Sequence, residues 1–280
     1  MQAPRTPEIP DSANTGPTPA PPPSRREALG RLAGRLLAPL AALAARARHG
    51  RPLHPTGTLC AGEVIAAAED PTLVPLANQL AGAAVVRLSG ALWRHPGPPD
   101  LLGCAIRFRG PRPLATLVAP EDQDLLFATV PHLWLTLPAM FKTRRGDYLH
   151  NAYYTATALD LPGLGPAEFR LVPIPAPVQP GATREERLAA AMQAGVARLR
   201  LEVRRERRSW QHLCDLRLRG RLELDDHDLE FTPFHMGLGL RPRGFISAMR
   251  AAVYAASQAQ RAVESARSPA PAPDPSPSGV

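Results

Sequence analysis

Between residues 83 and 130 the chain offers four short apolar runs, at 83–89, 104–109, 114–118 and 125–130, separated by segments rich in Pro and Gly. Runs of this length suit strands rather than helices, and turns this frequent join neighbouring strands antiparallel. The stretch 59–68 reads as a short strand or helix, 71–79 as one or two helical turns, and 168–173 as a strand. The stretch 210–224 alternates as a hairpin strand turning at Gly220. Longer helices punctuate this pattern. Ser24 with Glu27 three residues on has the form of a capping box, opening a helix over 24–49 whose apolar stripe is Leu29, Leu32, Leu36, Leu37, Leu40 and Leu43. Thr183 with Glu186 opens another through about 208, with Leu188, Met192, Val196 and Leu199 as its stripe, and 245–267 is a final helix. The order of helix, strands, helix, strands, helix predicts an α+β fold, an antiparallel β-barrel core over about 50–225 with flanking helices, rather than alternating βαβ units. The mixed faces of the short strands suit a small barrel that encloses a ligand.

With 280 residues, 44% of them apolar, the chain has ample material for a core. Residues 1–24 and 267–280 are rich in Pro, Ala, Ser and Thr and hold hardly a large apolar side chain, so they are expected to be disordered tails around a single domain at 25–266. No apolar run approaches the roughly 18–20 residues that span a bilayer. The longest candidate, Leu36 to Ala45, is broken by Pro39, and Arg25 and Arg26 follow a polar, Pro-rich segment unlike a secretory signal. A cytoplasmic protein without a membrane partner is the expectation. Cys60, Cys104 and Cys214 are odd in number, far apart and set among apolar residues, which suits buried thiols in a reducing compartment.

A net charge of +8 and a pI near 10.3 are ordinarily marks of a nucleic-acid or anionic-membrane binder. Lys142 is the sole lysine, however, and the abundance of Arg, Ala and Pro fits GC-rich codon usage. Aromatic residues make up only 5% of the chain, where single-strand binders interleave them with basic ones, so nucleic acid is not the expected partner. Zinc motifs, a phosphate-binding P-loop and a GxSxG elbow are all missing, and Gly237, Gly239 and Gly244 have the wrong spacing for a dinucleotide site. The acidic cluster Asp225, Asp226, Asp228 and Glu230 lacks the spaced ligands and central glycine of a calcium loop and reads as a solvated turn.

Four local patterns remain. Arg51 stands three residues before His54 in a segment fixed by Pro52, Pro55 and Gly57. Arg87 and Ser89 share one face of a strand, because side chains alternate with period two. Asp100, Gly103, Ala105, Arg107 and Phe108 mark a turn running into a strand. Arg250, Tyr254 and Arg261 stand at offsets 0, 4 and 11 of one expected helix and so share a stripe.

At all four places, over roughly residues 45–265, the sequence resembles the heme catalase superfamily, and in particular its short catalase-like members. The latter carry a D-[YF]-L-x-N-x-Y-Y segment, here Asp147 to Tyr154, and an R-P-x-G before the last helix, here Arg241 to Gly244. The resemblance implies a heme b cofactor, with His54 as distal base, Ser89 orienting it, and Tyr254 as the iron ligand held as phenolate by Arg250. It makes Arg51, Arg87 and Arg261 partners of the heme propionates. Tyrosinate suits ferric iron, a neighbouring Arg favours the deprotonated phenol, and a neutral His can carry a proton between two peroxide oxygens.

Two departures qualify the activity to expect. Where the family has D-L-V-G-N-N-T-P this chain has Asp124 to Pro131, so the distal Asn position is Ala128, followed by Thr129. Leu88 replaces the Phe of V-R-F-S, and the chain is too short for the family's long wrapping and C-terminal regions. The expected function is a hydroperoxide-reacting oxidoreductase, more a peroxidase than an efficient catalase. It would use an electron donor that the sequence does not identify, and it is compatible with a homo-oligomer. Two other readings stay open: a heme-free barrel of this fold that binds an apolar ligand or a partner protein, and a basic surface binder built on an Arg-rich helix at 198–208.

Overall fold

The computed structural model describes residues 57–92, 98–115, 117–155, 157–206, 208–223 and 229–243. The expected tails, the expected helices at 24–49 and 245–267, the acidic residues 225–228, and Arg51, His54, Arg250, Tyr254 and Arg261 lie outside them.

Period-two alternation generates the strands. In β1 (Gly57–Ala66), β2 (Gly82–Gly90), β3 (Leu102–Phe108) and β4 (Gln123–Ala128), alternate apolar side chains are buried on one face. The chain continues through β5 (Tyr153–Thr155), β6 (Leu159–Leu161), β7 (Gly165–Pro173), β8 (Arg198–Arg205), β9 (Gln211–Arg221) and β10 (Arg241–Pro242). Every pairing is antiparallel. The strand order is β10-β6-β7-β5-β4-β3-β2-β1-β9-β8, and β8 also bonds to β7. That last pairing closes β7, β5, β4, β3, β2, β1, β9 and β8 into an eight-stranded barrel, with β6 and β10 as an extension from β7. Three short helices accompany it among the described residues: α1 (Val74–Leu80), α2 (Thr136–Lys142) after a 3-10 turn at Leu133–Leu135, and α3 (Arg184–Gln193).

All eight barrel strands contribute to one buried apolar cluster, including Val86, Ile106, Phe127, Phe169, Leu201 and Leu216. The enclosed face is packed. At Gly62 an added Cβ would meet Val86 Cγ2 at 3.0 Å and Leu216 Cδ1 at 3.3 Å. Apolar side chains therefore fill much of the enclosed face, while Arg87, Ser89, Arg107 and Asp124 lie on the outer one. The three cysteines are buried and unpaired, and burial pushes the Cys60 and Cys214 thiols up to about 12 and raises Cys104 as well.

Three expected elements differ, each for a local reason. The described residues of the run 114–118 form no strand, because the Arg109 guanidinium draws in the carbonyls of Pro113, Ala115 and Leu117 at 3.0–3.2 Å together with the Asp122 carboxylate. The helix opened by Thr183 has the expected capping box but ends at Gln193 instead of continuing to 208. Gly195 takes φ +69°, and the N–H groups of Gly195 and Val196 return to the carbonyls of Met192 and Ala191, a Schellman closure. The chain then enters β8, whose Leu199, Leu201 and Val203 face inward while Arg198, Arg200 and Arg204 face outward. The basic-helix reading fails with it: Arg204 pairs with Glu168 and Arg205 with Asp70. Finally, Gly220 does not turn a hairpin but lies within β9 opposite Ala61, next to a register shift.

Candidate functional site

Strand register builds the site. On the outer face of β1 to β5, one rung runs Gly57, Ser89, Gly103, Ala128, Tyr154. The next runs Leu59, Arg87, Ala105, Leu126, and a third Ala61, Val85, Arg107, Asp124. Arg87 and Ser89 are therefore neighbours on one face, as their spacing predicts, and that face is the barrel's outer one. Both are buried, 5% and 2% exposed, and neither is free. Gly57 makes room for the arginine: a Cβ there would stand 2.7 Å from Arg87 Cζ. Around them the floor is of small residues, Gly57, Gly103, Ala105 and Ala128, of which Gly57, Ala105 and Ala128 keep part of their surface open.

The third rung holds a charged cluster to which the sequence assigned no role. The fully buried Arg107 donates from Nε to Asp124 Oδ1 and from Nη2 to Asp124 Oδ2, each at 2.8 Å. Its Nη2 also reaches the Glu230 carbonyl at 2.5 Å, and its guanidinium lies 5.0 Å from the Phe231 ring centroid. Asp124 Oδ2 further accepts from Thr232 N–H at 3.1 Å, and His235 Nδ1 stands 2.8 Å from it. Gln123 clasps the same segment, donating to the carbonyls of His235 and Leu240 and accepting from Leu240 N–H. This cluster fixes residues 229–240 against β3 and β4, immediately before the part of the chain that carries Arg250, Tyr254 and Arg261. Arg107 and Asp124 are visible in sequence as members of longer patterns. His235 gives no local signal, standing 111 residues from its partner.

Two more segments singled out in the sequence are tied into the fold. The Thr129 hydroxyl is engaged elsewhere, accepting from Leu102 N–H at 3.0 Å and sharing a hydrogen bond of 2.9 Å with Thr143 Oγ1. The segment from Asp147 to Tyr154 is a tied turn. Asn151 donates to the carbonyls of Arg144 and Asp147 and accepts from Arg144 N–H, while Tyr153 OH donates to the Tyr148 carbonyl. Tyr148 OH in turn donates to Glu185 at the start of α3, and burial raises the pKa of both tyrosines. No metal-binding cluster of His, Cys, Asp or Glu occurs among the described residues.

A closed eight-stranded antiparallel barrel with few helices is a catalase-like fold. No protein-family model matches the chain, and no curated protein does. Among solved structures it is similar to the crystal structure of a fungal catalase, with a TM-score of 0.52 and 14% identity over 79% of this chain and 62% of that one. At that identity the likeness speaks to the fold alone, and the chain spans about three-fifths of the catalase's length.

Proposed function

We propose that the protein is a heme-dependent oxidoreductase that reacts with hydroperoxides, working as a peroxidase more than as an efficient catalase. The observation that carries this reading is the placement of Arg87 and Ser89 side by side on the outer face of a catalase-like barrel, with Gly57 leaving space for the guanidinium. The described residues fit a flat, dianionic cofactor: an arginine to meet carboxylates, and a floor of Gly57, Gly103, Ala105 and Ala128 without bulky side chains. Heme, when bound, would supply a redox-active iron at which a hydroperoxide O–O bond breaks. Tyr254 would hold the metal, with Arg250 keeping its phenol deprotonated. Arg51, Arg87 and Arg261 would neutralise the propionates, His54 would move the proton from one peroxide oxygen to the other, and Ser89 would orient His54. The three unpaired, buried thiols support a cytoplasmic setting.

Peroxide disproportionation needs a second peroxide held as reductant. Ala128 offers no donor for it, and the Thr129 hydroxyl is already engaged. Loss of one positioned hydrogen bond of this kind costs about 10²–10³ in rate. After heme loading, dioxygen release from hydrogen peroxide should therefore be slow, while turnover of cumene hydroperoxide with an added electron donor should be faster and should depend on His54. Dioxygen release at an ordinary catalase rate, or full turnover in His54→Ala, would overturn the proposal.

One observation favours a heme-free barrel that binds an apolar ligand or a partner. Leu229 and Phe231 pack on Leu59 and Val85, so one end of the same outer face is already covered by the chain itself.

A further inference from the structure

The 3-10 turn and α2 present an exposed apolar face, on which His132 stacks against the Trp134 ring at 4.6 Å. Trp134, Leu137 and Phe141 are 77%, 71% and 75% exposed, and their spacing of three and four residues sets them along one side of the element. Three such side chains in a row are not the scattered apolar exposure of an ordinary surface. Lys142 and Arg144, both exposed, come directly after. The mount beneath is firm: Thr143 Oγ1 donates to the Ala139 carbonyl and meets Thr129 Oγ1, and Asn151 brackets Arg144 through both its N–H and its carbonyl.

From this we infer that the segment 134–144 docks on an anionic lipid surface, with Trp134, Leu137 and Phe141 entering the headgroup boundary and Lys142 and Arg144 meeting lipid phosphates. A Trp/Leu/Phe face flanked by basic residues is the composition of interfacial anchors. A second copy of the chain fits less well, since residues 132–146 hold no acidic side chain to meet Lys142 and Arg144. No helix among the described residues is long and apolar enough to cross a membrane, and surface docking requires no crossing.

The test is sedimentation of the full chain with vesicles of phosphatidylcholine alone or mixed with phosphatidylglycerol. Binding should appear with the mixed vesicles only and weaken as salt rises. A variant carrying Trp134→Ser, Leu137→Ser and Phe141→Ser should lose about tenfold or more in vesicle partitioning. Because all three side chains are exposed, its thermal midpoint should hold or rise. Lys142→Glu with Arg144→Glu should abolish the preference for anionic vesicles. Equal sedimentation of the wild type and the triple-serine variant would assign any lipid binding to other basic parts of the chain and overturn the proposal. Absence of binding to mixed vesicles would overturn it too, as would a concentration-dependent dimer that the triple-serine variant abolishes.

Discussion

Arg87 lies over Gly57 of the neighbouring strand, so one methyl group at position 57 tests whether the guanidinium's place matters. In Gly57→Ala the new Cβ would stand 2.7 Å from Cζ, and the yielding partner is the far end of a flexible side chain rather than backbone. The fold should therefore change stability by less than about 1 kcal/mol. Heme affinity, by contrast, should fall several-fold, because the arginine is pushed off its site. Thermal melts and heme titrations on the same preparation check both halves, and an unchanged affinity would remove Arg87 from the cofactor site. Arg87 and Ser89 are legible in sequence because strand alternation is a local rule. The Arg107, Asp124 and His235 cluster is not, since its partners meet only when residues 229–240 fold back across β3 and β4.

Asp70 shows how one carboxylate joins elements. It accepts from the Thr72 hydroxyl and N–H ahead of α1 at 2.6 and 2.9 Å, and from Arg205 of β8 and Gln211 of β9 at 2.9 and 3.0 Å. The hydrogen bonds from Thr72 and Gln211, then the charge of Arg205, hold its pKa at about 2 instead of 3.8. A folded pKa below the unfolded one means that Asp70 stabilises the fold above about pH 4 and loses that contribution as the pH falls through 2. Asp70→Asn should flatten that part of the acid-unfolding curve, and an unaltered slope would show that the joint contributes nothing. In α3, Thr183 Oγ1 accepts from Glu186 N–H at 3.1 Å while the Glu186 carboxylate reaches back to Thr183 N–H. Thr183→Ala should cost about 1 kcal/mol in denaturant unfolding. The capping box is legible because it is a four-residue signal. The end of the helix is not, because Leu188, Met192, Val196 and Leu199 keep helical spacing across the Gly195 break, and Leu199 in fact begins the inward alternation of β8.

Over the whole molecule, short alternating runs between frequent turns predict an antiparallel barrel, and the pairing of β7 with β8 closes one. Closure itself carries no sequence signature, and neither does the choice of which strand face is filled. The alternation of β2 puts Arg87 and Ser89 on one face, but which face is filled follows only from closure: apolar side chains fill the enclosed face and leave Arg87 and Ser89 outside it. The account turns on whether that outer face receives heme. The most direct measurement is an absorbance titration of the purified full chain with heme, beside Tyr254→Phe and Arg87→Leu. Saturable binding of heme by the wild type is predicted, with a spectrum that shifts and a retention that weakens in Tyr254→Phe, and with lowered affinity in Arg87→Leu. No saturable binding, or the wild-type spectrum retained in Tyr254→Phe, would contradict it.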